Sequence, residues 1–312
     1  MTETATVSRR EAWLMAARPH TLPAAAAPVV VGTGIAVHEG LFAPLPSLAA
    51  LVGAALIQIG TNFANDYYDA EKGVDTDERE GFTRATQSGL IPAERVKFAT
   101  YATFALAILL GTYLVYVGGV PILVLGLASV ASGLAYAGGP YPLGSHGLGD
   151  LFVFLFFGVF AVTGTFYVQA AAVLAAPFPL WIPPGTVTTA SVVASLPVAA
   201  LSTAILVVNN VRDIDTDRKA GKRTLAVIVG LRASRAEFVG FLALAYAVPV
   251  WFWLGAGFDR LVVLPLVTVP YATGVAKTVL TDRSGPALND ALARTAKLLA
   301  GFSALFAVGV VV

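Results

Sequence analysis

Almost all of the side chains able to do chemistry fall in two segments. The first runs from Asn62 through Asn65, Asp66, Tyr67, Tyr68 and Asp69 to Lys72, Asp75, Asp77, Arg84 and Gln87. The second holds Asn209, Asn210, Arg212, Asp213, Asp215, Asp217, Lys222 and Arg223. On a helix, Asn65 and Asp69 are four residues apart and share a face, with Asn62 one turn earlier; Asn209, Asp213 and Asp217 make a stripe of the same kind. Clustered carboxylates repel one another unless a cation neutralises them, and an all-oxygen donor set suits Mg2+ rather than zinc. The chain has no cysteine, which excludes thiolate metal sites, disulfides and cysteine nucleophiles. Mg2+ takes one or two carboxylates and completes its shell with substrate phosphates. Lys72, Arg84, Lys222 and Arg223 place positive charge beside the acids. Acid, base and magnesium together read as a diphosphate site. A single charged loop would read as ordinary solvation; two matched ones on one side of the protein argue against that.

The elements that position these segments are membrane spans. Of 312 residues 57% are hydrophobic and only 12% charged, the mean hydropathy is +0.76 and the net charge is +1. A water-soluble enzyme, a nucleic-acid binder and a disordered protein are excluded. Nine apolar stretches approach the roughly 20 residues a crossing helix needs: about 19–38, 44–64, 95–117, 119–138, 148–174, 188–209, 236–256, 260–280 and 288–311. The expected fold is an all-α polytopic membrane protein, a single domain over 1–312. Residues 1–10 would form a flexible tail, and cap loops would occupy about 65–94 and 209–235. Nine spans put the first residues and both acidic segments on one face with every Lys and Arg except Arg260. By the positive-inside rule that face is cytoplasmic, in a multi-pass protein of the cell membrane. Val74-Asp75-Thr76-Asp77 and Ile214-Asp215-Thr216-Asp217 match at an offset of 140 residues, each after the second span of a group. This weak repeat suggests two related four-helix halves plus one helix.

Asn65-Asp66-Tyr67-Tyr68-Asp69, followed by Lys72-Gly73-Val74-Asp75 and Arg84-Ala85-Thr86-Gln87-Ser88-Gly89, resembles the first motif of the UbiA superfamily of intramembrane prenyltransferases. Asn209-Asn210-Val211-Arg212-Asp213 through Asp217, with Gly221-Lys222-Arg223-Thr224, resembles the second. Arg18-Pro19-His20-Thr21-Leu22-Pro23, Gly139-Pro140-Tyr141-Pro142-Leu143, Gly149-Asp150 with its Phe-rich sequel, and Asn289-Asp290-Ala291-Leu292 point to the branch that prenylates 1,4-dihydroxy-2-naphthoate in menaquinone synthesis. The resemblance covers about residues 18–309. It implies nine helices around a central cavity opening sideways to lipid. It also implies two Mg2+ ions, one on Asn65 and Asp69 and one on Asp213 and Asp217. Asp66 and Asp75 fall on motif positions with catalytic parts. The ubiquinone branch carries a further Asp where this chain has Gly73, so Asp75 or Asp77 takes that part here.

The implied substrates are a polyprenyl diphosphate and the naphthoate, met within the bilayer with no nucleic acid involved. Asn62, Gln87 and Asn209 join Lys72, Arg84, Lys222 and Arg223 as substrate-binding candidates. Tyr67, Tyr68, Tyr136 and Tyr141 read first as an interfacial belt and otherwise as aromatic faces for an allylic cation. Arg18 reads first as a snorkelling anchor, or else as the partner of the naphthoate carboxylate. The Phe152–Phe160 run reads as lipid-facing packing, with a prenyl tunnel as the alternative, and Asp150 as a helix cap. Rival readings are a sister branch taking homogentisate, 4-hydroxybenzoate or a lipid acceptor, and a cation-coupled transporter. The transporter would need mid-span acids, and none is present.

Overall fold

The computed structural model describes residues 7–72, 85–137 and 142–312. Helix α1 (Arg9–Ala17) starts from a reciprocal cap: Ser8 N donates to Glu11 Oε2 at 2.8 Å, and Glu11 N donates to Ser8 Oγ at 3.2 Å. It ends where Arg18 turns left-handed (φ 51°), and a short 3-10 turn, Pro19–Thr21, leads into α2 (Leu22–His38). The expected first span, 19–38, is thus this 3-10 turn and α2, with α1 preceding it. Ala12 and Ala16 of α1 are buried against Phe63 and Tyr67 of α3 (Pro44–Lys72) and Val96 of α4 (Ala93–Ala137).

Helix α4 has 45 residues and, if straight, would be about 67 Å long, twice the roughly 30 Å of bilayer hydrocarbon. It is broken at Gly119, whose φ of 65° and ψ of −152° only glycine adopts readily. Both halves lie along α3: a Cβ on Gly60 would meet the Phe104 ring at 3.2 Å, and one on Gly133 would meet Thr61 Oγ1 at 3.8 Å. Residues 104 and 133 therefore stand at one level of α3, and the chain has doubled back between them. Three bonds tie the corner: Val120 N to Pro179 O at 2.9 Å, Phe178 N to Tyr116 O at 2.8 Å, and Tyr167 Oη to Gly118 O at 2.7 Å. A Cβ on Gly119 would stand 1.8 Å from Pro179 O. Gly119→Ala should therefore cost about 2 kcal/mol or more, read as a lower unfolding midpoint in detergent. A wild-type midpoint would show that the corner is not constrained. Among the described residues eight helices are long and apolar enough to cross a membrane; the break in α4 makes them the nine spans expected.

The fifth span is α5 (Gly149–Val153), a π-helical stretch Phe154–Val159 and α6 (Phe160–Leu174). Gly158 in the π stretch lets this span press on α7 (Thr189–Arg212), since a Cβ there would be 2.1 Å from Ala199 Cβ. Short α8 (Ile214–Lys219) and α9 (Leu225–Val229) lead to α10 (Leu231–Leu254). The next span opens as a 3-10 stretch, Arg260–Thr268, before α11 (Val269–Thr281); Pro265 and Pro270 lack the N–H groups a regular helix needs there. Helix α12 (Gly285–Val311) closes the bundle. The main core gathers α2, α6, α7, α10 and α12 around Phe166, Phe238, Phe252, Phe302 and Phe306, all fully buried. The doubled α4 with α3 forms a second wall, and the site lies between the two.

Candidate active site

A cavity of about 340 Å3 opens between these walls, within the range of small-molecule sites. Its body is apolar. Phe152, Phe156, Phe157 and Phe160 face Ala24, Ala25 and Pro28 of α2 and Ala54 and Ile57 of α3. The Phe run is therefore cavity wall and not lipid-facing packing. The four rings are spaced i, i+4, i+5 and i+8, which puts them on one side of the span. The polar lining comes from two helices. Gln58, Thr61, Asn62 and Asn65 form one stripe of α3, and Ser129, Ser132 and Tyr136 line the second half of α4.

The first acidic segment divides between two faces of α3. Asn62, 4% exposed, donates from Nδ2 to Ala17 O at 2.9 Å and to Thr21 Oγ1 at 2.8 Å, fastening the turn at Arg18 to the cavity wall. Asn65 lines the cavity. Asp66 is turned away and buried; its Oδ2 accepts from Thr86 N at 3.1 Å and Thr86 Oγ1 at 2.6 Å. It anchors the returning chain. Tyr67 packs in the small core with Phe63 and lies beneath the Lys97 ammonium, 5.5 Å from its ring centre, so it faces away from the cavity. Gln87 is exposed in the turn after Thr86, and Arg18 is half-buried. Asp69 and Lys72 belong to α3, but their side chains lie outside the described ones; Asp75, Arg84 and Tyr141 also lie outside the described residues.

The second segment keeps its stripe. Asp213 N bonds Asn209 O at 3.0 Å and Asp217 N bonds Asp213 O at 2.8 Å, so helical hydrogen bonding runs through the bend between α7 and α8. Arg212, 4% exposed at its side chain, sits at the centre. It donates to Asp213 from Nε at 2.7 Å and Nη2 at 2.6 Å, to Asn209 Oδ1 at 2.8 Å and to Asn289 Oδ1 of α12 at 2.7 Å. Asp217 is buried with Lys222 Nζ 3.5 Å from its Oδ1. Burial raises the Asp217 carboxyl above the usual carboxylate range, against the opposing pull of Lys222. Arg223 is exposed, and its N–H donates to Ser145 O at 2.9 Å, tying this segment to the turn before α5.

Tyr136 joins the two halves. It lines the cavity with Asn62 and Asn65 and lies within electrostatic reach of both Asp150 and Asp217. Asp150 is 5% exposed, and its Oδ2 lacks a hydrogen-bond partner among the described residues. It does not cap α5: the cap position is Leu148, and no side chain makes the cap bond. Among the described residues no group of three or more His, Asp or Glu converges as a ready metal site. Mg2+ does not need one, because substrate phosphates supply much of its shell. The described donors Asn65, Asp213 and Asp217 are all oxygen, which fits that ion.

Gln58, Thr61, Ser129, Ser132, Arg212 and Asn289 were not singled out as site residues from the sequence. A signal for Gln58 existed: it stands one turn before Asn62 on the same stripe.

A bundle of membrane-spanning helices around an apolar cavity, with amides in its lining and carboxylates within reach of Tyr136, has the form of an intramembrane enzyme. The UbiA prenyltransferase family model matches residues 25–300, and the chain belongs to that family. It is 36% identical over 310 residues to the 1,4-dihydroxy-2-naphthoate octaprenyltransferase of Escherichia coli, covering 97% of this chain and 96% of that protein. It is 38% identical over 282 residues to the octaprenyltransferase of the same name from Mycobacterium tuberculosis, covering 89% and 90%. Among solved structures, the fold matches an apo UbiA homolog from Aeropyrum pernix with a TM-score of 0.68 at 15% identity, covering 89% of this chain and 96% of that one. A homolog from Archaeoglobus fulgidus bound to DMAPP and Mg2+ matches with a TM-score of 0.60 at 17% identity, covering 95% and 99%.

Proposed function

We propose that this protein transfers a polyprenyl group from an allylic diphosphate to 1,4-dihydroxy-2-naphthoate, releasing diphosphate and CO2 and giving demethylmenaquinone in its quinol form. The observation that carries the reading is the Phe-lined cavity whose polar lining includes Asn65 and Tyr136, with Asp217 within electrostatic reach of Tyr136. It has an apolar bed for a hydrocarbon chain and an amide-bearing polar wall, with the charged second segment beyond Tyr136 to take the diphosphate. The allylic C–O bond breaks, the ring carbon bearing the carboxylate forms the new C–C bond, and that carboxylate leaves as CO2. Its bonding pair returns to the ring.

Asn65 with Asp69, and Asp213 with Asp217, would hold two Mg2+ ions, whose charge would stabilise the leaving diphosphate. Lys72, Arg84, Lys222 and Arg223 complete the diphosphate clamp, with Gln87 and Asn209 beside it. Asp66 holds the turn that carries Gln87 through its bonds to Thr86, and Asp75 takes a catalytic part. The Phe rings and Tyr136, with Tyr141 following, exclude water and offer π faces to the allylic cation. Arg18, at the turn fastened to Asn62, faces the acceptor's carboxylate. The charged face is cytoplasmic in the cell membrane, on the strength of its Lys and Arg excess.

The test uses purified protein in detergent with Mg2+, a polyprenyl diphosphate and the naphthoate, following prenylated product and CO2 together. Both should form in equal amounts and both should vanish in EDTA. Product from a different aromatic acceptor alone would move the protein to a sister branch, and no product from any acceptor would end the transferase reading.

A further inference from the structure

Gln58 lies four residues before Asn62 on α3, one turn further from the acidic cap, and lines the cavity. Its Nε2 donates to Thr21 Oγ1 at 3.0 Å. That hydroxyl also accepts from Asn62 Nδ2 at 2.8 Å and donates its own proton to Arg18 O at 2.8 Å. With its single proton committed, Thr21 Oγ1 can only accept from Gln58. The amide orientation is thereby determined: the reversed form would set Oε1 against an oxygen with no proton to give. Among the described residues Gln58 Oε1 is left buried and without a hydrogen-bond partner. A buried acceptor in that condition is costly, and the cavity is the place from which a donor can come.

Resting on the acceptor class proposed above, the two substrates differ sharply in what they offer. A diphosphate and a naphthoate carboxylate only accept hydrogen bonds, and a prenyl chain does neither. The ring hydroxyls are the only donors. Nor is a cap-bound cation the claimant, because Gln58 is seven residues from Asn65, about 10 Å along the helix. We infer that Gln58 Oε1 accepts a hydrogen bond from a ring hydroxyl of the aromatic acceptor and selects for acceptors that carry it. The last torsion of a Gln side chain is soft, so a modest rotation of the whole amide brings Oε1 toward the cavity at the expense of a longer Nε2–Thr21 bond. Drawing the hydroxyl proton toward Gln58 raises electron density in the ring, which favours attack on an allylic cation.

The experiment compares wild type with Gln58→Leu. It reads KM for 1,4-dihydroxy-2-naphthoate and for the polyprenyl diphosphate. It also reads inhibition constants for 1-hydroxy-2-naphthoate and 4-hydroxy-2-naphthoate, each lacking one hydroxyl. The expected result is a rise of about 10- to 100-fold in KM for the dihydroxy acceptor, with KM for the diphosphate unchanged. One of the two monohydroxy analogues should bind variant and wild type alike. Equal weakening of all three naphthoates, or no weakening of any, overturns the inference while leaving the transferase reading intact. Failure of the wild type to use the naphthoate would instead strike the proposed function itself. Should Gln58→Leu not fold, Gln58→Met removes the same oxygen at nearly the same length and gives the same comparison.

Discussion

Asn in place of Asp217 is expected to lower turnover of polyprenyl diphosphate by about 10^3-fold, the scale on which one preorganised charge contact to a leaving group acts. The exchange is nearly isosteric, so packing in this buried position survives. What disappears is one negative charge between Lys222 and Tyr136. Under the proposed mechanism that charge holds a cation against the diphosphate, and its loss also leaves the Lys222 ammonium without its 3.5 Å partner. The Mg2+ concentration for half-maximal rate should rise, while KM for the aromatic acceptor stays near the wild-type value. Asp215, two residues away with 84% of its side chain exposed, is the control: Asp215→Asn should retain close to full activity. The measurement is steady-state turnover across a Mg2+ series. A variant at position 217 that works within tenfold of wild type would remove Asp217 from the machinery.

The parts of this architecture that were legible in the sequence are those set by composition and short-range spacing. The apolar runs announced the spans, and the one-residue gap between 95–117 and 119–138 announced the sharp return inside α4. The spacing of Asn209, Asp213 and Asp217 survived the bend because backbone bonds carry it through. What stayed hidden depends on which side of an element faces what. A run such as Phe152–Phe160 is apolar all round, and no periodicity distinguishes a cavity wall from a lipid-facing surface; which neighbours the span packs beside decides it. Asp66 and Asp69 are neighbours in one motif, yet Asp66 is claimed by Thr86, 20 residues away. Asp150 looked like a cap because it opens a helix, but the N-cap is two residues earlier. The left-handed Arg18 that separates α1 from α2 has no glycine to mark it.

Arg212→Ala is expected to be the most damaging single change to stability, about 3 to 5 kcal/mol, because it strands a partly buried carboxylate. The guanidinium fork holds both oxygens of Asp213, the amide of Asn209 one turn back, and Asn289 from a helix 77 residues away in sequence. Lysine cannot reproduce that planar fork, so Arg212→Lys should recover little. The pairing does not remove Asp213 from cation binding. Each carboxylate oxygen has a second lone pair, and a carboxylate held at two points is already aimed when a cation arrives. The consequence is coupling. Asp213→Asn alone and Arg212→Ala alone should each lower the unfolding midpoint, but the double variant should be less damaging than the sum of the two, since neither charge is then left stranded. Thermal unfolding in detergent of the four proteins measures the coupling directly. Strict additivity, to within about 0.5 kcal/mol, would mean that the clamp contributes nothing. A clear coupling, with Arg212→Lys also needing more Mg2+ for half-maximal rate, would identify Arg212 as the residue through which α12 sets the aim of the second acidic motif.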